Sequence, residues 1–165
     1  MSDDDATNEE WPLGEFETGA APGDSADEPR GHHRIVNPPS LPPPLGFSHA
    51  VVAAPGRTVW LGGQAAHAPD GTIASDDLVE QFDAAAANLT EALRAAGGRP
   101  EHLVSLQIFT TDAASYRERL GPIGQAYRRH LGRHFPATGL FEVKGLFDPR
   151  AKIELMGVAV IPGPG

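Results

Sequence analysis

Three polar side chains near the end of the chain stand where they could do chemistry. Residues 134–161 read HFPATGLFEVKGLFDPRAKIELMGVAVI, with Thr138, Glu142 and Glu154 set among apolar neighbours. The stretch divides into two extended runs, Gly139 to Val143 and Ala151 to Val160, joined by a turn at Asp148-Pro149. Successive side chains of a strand point to opposite faces, so Glu154 shares a face with Lys152 and Met156 while Ile153 and Leu155 point the other way. One carboxyl in a partly apolar pocket can both hold a water and pass a proton if its pKa is raised towards neutrality. The competing assignment is an edge ion pair with Lys152 or Arg150. Glu142 alternates in step with Thr138 and Leu140, and a structural hydrogen-bonding role suits it better.

A fourth candidate is Gln64, directly after Gly62-Gly63. Glycines at a strand end permit close backbone approach, and Gln64 gives that approach a polar handle. The pair is too short for a phosphate loop and lacks the Lys-Ser/Thr of one. His32-His33 has no third ligand at a suitable spacing, so a solvated pair is expected and no metal site is assigned. The chain has no cysteine, which excludes disulfides, thiolate metal sites and a thiol nucleophile.

The elements that must position these residues follow from periodicity. His49 to Ala53 and Thr58 to Gly62 are β-prone runs around Pro55-Gly56, and a hairpin is the simplest assignment. Ser75 or Asp76 is placed to cap a helix that runs to Ala96 and stops at Gly97-Gly98. Leu78, Val79, Phe82, Ala85, Ala86, Leu89 and Leu93 form its apolar face. Leu103 to Thr110 reads as a buried strand. A second helix, 114–131, carries Tyr116, Leu120, Ile123, Tyr127 and Leu131 on one face, with Gly121-Pro122 expected to kink it or delay its start. Strands and helices in this order predict an α+β domain: one mixed sheet with two helices packed on one face. The other face would stay apolar and need a cover, most simply another subunit.

Charge limits the partners. Of 22 acidic residues, ten lie in residues 1–30 against the single base Arg30, and residues 31–165 are balanced. A neutral body with an acidic tail has no field to attract nucleic acid or an acidic membrane. Residues 1–33 are expected to be a disordered acidic tail, with Trp11 and Phe16 as its candidates for docking on a neighbour; residues 34–163 form the domain. The proline-dense stretch 31–48 is expected to run along the body as a strap. No secretory or membrane-spanning pattern appears, which points to the cytoplasm.

The segments PPPLGFSHAV, WLGGQ, a helix ending in AAGG, VSLQIFTTD, HFPATGLFEV and KIELMGVAV occur in this order across residues 35–161. In order and spacing the chain resembles the Rid family, also called YjgF/YER057c/UK114. The resemblance implies a chorismate-mutase-like α+β subunit, a homotrimer with clefts between subunits, and hydrolysis of enamines or imines such as 2-aminoacrylate without cofactor or metal. It also implies a set of site positions. The family's carboxylate-gripping arginine falls at Thr138, its cysteine at Leu140, its serine before Gly-Gln at Gly62, its tyrosine at Phe47 and its helix asparagine at Gly124. Gln64, Glu142 and Glu154 persist, the last matching the glutamate that holds the hydrolytic water.

Thr138 offers one hydroxyl and no charge, so it cannot replace a bidentate arginine. The exchanges imply a wider, more apolar cleft and a substrate without an α-carboxylate, or bulkier than 2-aminoacrylate, of the kind a specialised biosynthetic pathway supplies. Arg128, Arg129, Arg133 and His134 are the alternative sources of positive charge, Arg128 and Arg129 being assigned to solvent. Three functions fit: a cofactor-independent hydrolase or lyase of a small nitrogen compound, a catalytically silent trimeric binding module, and a ribonuclease. Retained Glu154 and Gln64 favour the first, the absent arginine the second, and the charge distribution opposes the third.

Overall fold

A computed structural model describes residues 32–163. The acidic segment, with Trp11 and Phe16, lies outside them. In chain order the elements are β1 (Arg34–Val36), β2 (Ala50–Val52), β3 (Gly56–Gln64), α1 (Leu78–Ala95), β4 (Leu103–Thr110), α2 (Ala113–Glu118), α3 (Leu120–Leu131), β5 (Ala137–Glu142) and β6 (Ile153–Pro162). The main sheet has the order β3-β6-β4-β5, and β1 pairs with β2 as a separate antiparallel ribbon. This is the expected α+β architecture, a mixed sheet with helices on one face. Among the described residues no helix is long and apolar enough to cross a membrane.

The strand partners differ from those expected. His49 to Ala53 and Thr58 to Gly62 do not form a hairpin: β2 pairs with β1 in the strap, and β3 pairs with β6. The two runs of residues 139–160 do not pair either. β5 lies parallel to β4, and β6 is inserted between β3 and β4, antiparallel to both. A helix between two strands makes a crossover, and crossovers yield parallel neighbours where short turns yield antiparallel ones. Thus β4, α2, α3 and β5 form one crossover unit. β3, α1 and β4 form another, with a one-strand gap that β6 fills.

α1 buries Leu78, Phe82, Ala85, Ala86, Leu89 and Leu93 against β3, β4 and β6, as the spacing predicts. Its cap is Asp77 rather than Ser75 or Asp76: the Asp77 carboxylate accepts from the Val79 and Glu80 amides at 3.0 Å each. Ser75 Oγ instead accepts from the Asp77 amide, and Asp76 pairs with Arg150. The Asp77 carboxylate also takes a 2.6 Å ion pair from Arg119, at the joint between α2 and α3. The Arg119 hydrogen bond first, then the cap amides, holds its pKa below the ordinary carboxylate value. The second helix is broken at this joint and restarts at Leu120, which leaves Pro122 in a first turn, where its missing N–H costs nothing.

Gln81 joins α1 to the start of β6. It is 1% exposed. Its amide donates to the Ser75 and Arg150 carbonyls at 2.9 Å and accepts from the Lys152 amide at 2.7 Å. The strand that carries Glu154 is therefore fixed in height against the helix.

Candidate functional site

Between the helix face of β4–β5 and the helices lies a cavity of about 320 Å³. Ile108, Thr138 and Leu140 form its sheet wall, and Tyr116, Ile123, Gly124, Tyr127 and Arg128 its helix wall. Register explains the sheet wall. Leu106 and Ile108, both buried in the core, stand opposite Thr138 and Leu140, so these two point to the helix side. The absence of a side chain at Gly124 widens the space beneath α3.

The strap supplies the remaining wall. Ser48 Oγ donates to the Phe135 carbonyl at 2.6 Å, and its amide donates to the Pro136 carbonyl at 3.1 Å. This latch holds Phe47 against the cavity. Gly46 precedes it with φ of 71°, a left-handed backbone that glycine adopts without steric cost. The strap is also held at its start by His33. Nδ1 accepts from the Ala54 amide at 3.1 Å, so Nε2 carries the hydrogen directed at the His102 carbonyl, 3.2 Å away. His33 is thus a structural clip rather than the solvated residue expected.

Phe47, Gly124, Thr138 and Leu140 therefore converge on one cavity, while Glu154, Gln64 and Gly62 do not. Glu154 pairs in register with Phe109, and its neighbours Ile153 and Leu155 are fully buried, so its half-buried carboxyl lies on the sheet face away from the helices. There it lies across Gly63 of β3, so closely that a Cβ on Gly63 would fall 1.8 Å from Glu154 Oε1. Phe109 stacks on Phe141 beside it, with ring centroids 5.6 Å apart. Among the described residues Glu154 has no ion-pair partner, and Arg150 pairs with Asp76 at 3.1 Å instead. Gln64 borders a shallow groove with His67 and Asn88, its amide 3.4 Å from the Gly62 carbonyl. Gly62 is exposed, with open space where a side chain would be.

The other polar candidates resolve individually. Glu142 accepts from the Ala113 amide at 3.0 Å, at the first turn of α2, which is a structural bond of the kind expected. Thr138 Oγ1 donates to the Pro136 carbonyl at 2.9 Å, leaving its lone pairs free to accept. His134 donates from Nε2 to the Leu103 carbonyl at 2.7 Å, and burial lowers its pKa, so it is neutral and not a source of charge. Arg129 pairs with Asp83, to which His130 also bonds at 2.7 Å. Arg128 is exposed, as expected, and it also lines the mouth of the cavity. Tyr116 also lines the cavity; helical periodicity places it on an apolar face but cannot show that this face borders a cavity.

The open sheet face is strongly apolar. Trp60 is 79% exposed, Phe141 48% and Met156 37%. Groups of this size standing in water mark a surface made for a partner.

The endoribonuclease L-PSP family model matches residues 40–161. Two proteins described as 2-iminobutanoate/2-iminopropanoate deaminase are similar in sequence. The one from Capra hircus is 26% identical over 129 residues, covering 77% of this chain and 89% of its own. The one from Mus musculus is 26% identical over 130 residues, covering 77% and 90%. A crystal structure of a protein of unknown function of the conserved Rid family, from Yersinia pestis, superposes with a TM-score of 0.72 at 32% identity, covering 79% of this chain and 99% of that one.

Proposed function

The chain belongs to the endoribonuclease L-PSP family, the group also called Rid or YjgF/YER057c/UK114, and from that premise we propose that it hydrolyses or cleaves an imine, enamine or related small nitrogen compound other than 2-aminoacrylate. The single observation that carries the proposal is Glu154: a half-buried carboxyl without an ion-pair partner among the described residues, held over bare backbone at Gly63 and flanked by Phe109. Such a group can orient a water and donate or take a proton, which suffices to add water across a carbon–nitrogen double bond and expel ammonia. The reaction needs no cofactor or metal in this reading. The deaminase names of the relatives support the substrate class at the level of imines.

Glu154 and the Thr138 cavity lie on opposite faces of one sheet, so a single chain does not assemble them. The exposed Trp60, Phe141 and Met156 lie on the Glu154 face of the sheet, and their exposure supports a homotrimer in which another copy covers them and the interfacial clefts join one chain's cavity to the next chain's Glu154. The acting unit is the domain spanning residues 34–163, in the cytoplasm, on a small molecule rather than on nucleic acid or a membrane.

The test is ammonia release from a panel of imines generated by an amino acid oxidase. Wild-type protein is expected to exceed the buffer rate, Glu154→Gln to fall to it, and 2-aminoacrylate to be turned over poorly. A second reading, a silent trimeric binding module, is favoured by the uncharged Thr138 and Leu140 in place of the family's arginine and cysteine. A wild-type rate equal to that of Glu154→Gln and of buffer would establish that reading over the first.

A further inference from the structure

Resting on the imine-hydrolase reading, the chemistry of the Thr138 cavity narrows what it holds. Its volume of about 320 Å³ lies at the small end of ligand pockets. A three-carbon acid would leave most of it empty. Its walls are largely apolar, with the aromatic rings of Phe47, Tyr127 and Phe135 around it. A ligand that fills it therefore has an apolar body.

Among the described residues, two polar groups lining the cavity have no protein partner. Tyr116 is 8% exposed, and its ring packs edge-on against Phe82 with centroids 6.2 Å apart. Among the described residues its hydroxyl makes no hydrogen bond. Its neighbour Tyr127 shows the ordinary outcome for a buried phenol, donating to the His134 carbonyl at 2.6 Å. No polar side-chain atom among the described residues is both buried and without a partner, so the Tyr116 hydroxyl keeps access to the cavity it lines, and a bound molecule can accept from it. Burial raises the Tyr116 pKa far above neutrality, which keeps it a donor.

Arg128 is the second group. It stands one turn after Gly124 on α3, so the gap left by glycine lies beside its stem. The adjacent Arg129 is taken up by Asp83, whereas Arg128 has no ion pair among the described residues. Thr138 adds an acceptor to the cavity wall, because its proton is committed to Pro136.

We infer that the cavity binds a 2-imino or 2-oxo acid with a bulky apolar side chain, of aromatic amino acid size, its carboxylate held by Arg128 and its imine nitrogen or carbonyl oxygen accepting from Tyr116. The positive charge absent at position 138 is supplied from the helix wall instead of the sheet wall. Arg128 and Tyr116 are specificity residues in this assignment, acting on the ligand directly.

Calorimetric titration of the full chain tests this without relying on turnover. The probes are phenylpyruvate, pyruvate and benzylacetone, the last a ketone with the aromatic body but no carboxylate. Phenylpyruvate is expected to bind at least about tenfold more tightly than pyruvate. Arg128→Gln should weaken phenylpyruvate by about tenfold or more and leave benzylacetone unchanged, the loss typical of one charge-assisted bond. Tyr116→Phe, which keeps the ring and its packing, should weaken both ketones by about fivefold. Equal binding of phenylpyruvate and pyruvate, or an unchanged affinity in Arg128→Gln or Tyr116→Phe, overturns the assignment. Selective binding without ammonia release would remove the hydrolase reading and keep the ligand class. Ammonia release without phenylpyruvate binding would do the reverse.

Discussion

Replacing Gly63 by alanine separates a positional role for Glu154 from a merely structural one. The added methyl carbon would lie 1.8 Å from Glu154 Oε1, 2.8 Å from its Cδ and 3.2 Å from its Cγ, and no backbone atom is in its way. Contact at about 3.0 Å requires the oxygen to withdraw by about 1.2 Å, a displacement of the order that costs about 100-fold in rate at a reacting group. That is about 2.7 kcal/mol of transition-state stabilisation. The fold should hardly notice. Gly63 has no left-handed φ, so alanine is sterically allowed and its gain of about 0.4–1 kcal/mol from the unfolded chain offsets a rotamer change in Glu154 of about 0.5–1.5 kcal/mol. Thermal unfolding followed by circular dichroism should therefore shift by less than about 4 °C. Ammonia release should fall by about two orders of magnitude. Gly145→Ala, at a site with open space around the added carbon, is the control expected to alter neither. A Gly63→Ala protein with wild-type turnover would show that the Glu154 carboxyl need not be where the structure holds it, and the mechanism built on it would fall.

Three further outcomes follow from the same geometry. Gln81→Leu removes three part-buried hydrogen bonds, to the Ser75 and Arg150 carbonyls and from the Lys152 amide; denaturant titration should show a loss of about 2 kcal/mol or more. Below pH 7, stability should fall as pH drops through and below the ordinary imidazole value of 6.5, because burial lowers the folded pKa of His134, so the unfolded chain takes up the proton first. His134→Gln keeps an N–H for the Leu103 carbonyl and should flatten that slope; an unchanged pH profile of the melting temperature would contradict the assignment. Arg119→Met should weaken the joint between α1 and α3 by less than about 1 kcal/mol, since the Asp77 pair is partly exposed, and a much larger loss would show that the pair matters more than its exposure implies.

Local periodicity made the helices and the strand cores legible. Leu78, Phe82, Ala85, Leu89 and Leu93 recur at intervals that only a helix turns into one face, and Leu103 to Thr110 alternates as a buried strand must. Partnership between strands is not written locally. β3 and β6 are nearly a hundred residues apart, and nothing in Thr58 to Gly62 indicates that its partner is Val158 rather than Val51. For the candidate site, alternation placed Thr138, Leu140 and Glu142 on one face and Glu154 among Lys152 and Met156, but it could not say that these faces are opposite sides of one sheet. That depends on β6 lying beside β4. The spacing of Tyr116 puts it on one face with Ile123 and Tyr127; the difference between the two tyrosines is that only the Tyr127 hydroxyl finds a protein partner, the carbonyl of residue 134. Arg128 looked like any exposed helical arginine, since the gap at Gly124 has meaning only once α3 is docked.

The position of β6 has a consequence for how the chain acquires its structure. The strand that comes last in the domain occupies the interior of the sheet, between β3 and β4, and until it arrives those two have no common partner. During synthesis the earlier strands of the main sheet can form only an open pair, β4 with β5, and a solitary β3. Loop closure to a strand so distant in the chain is slow, and the exposed edges of β3 and β4 are hazards in the interval. Folding of the main sheet is thus held back until residues 153–162 are available, and the segment bearing Glu154 is the one that ends the wait.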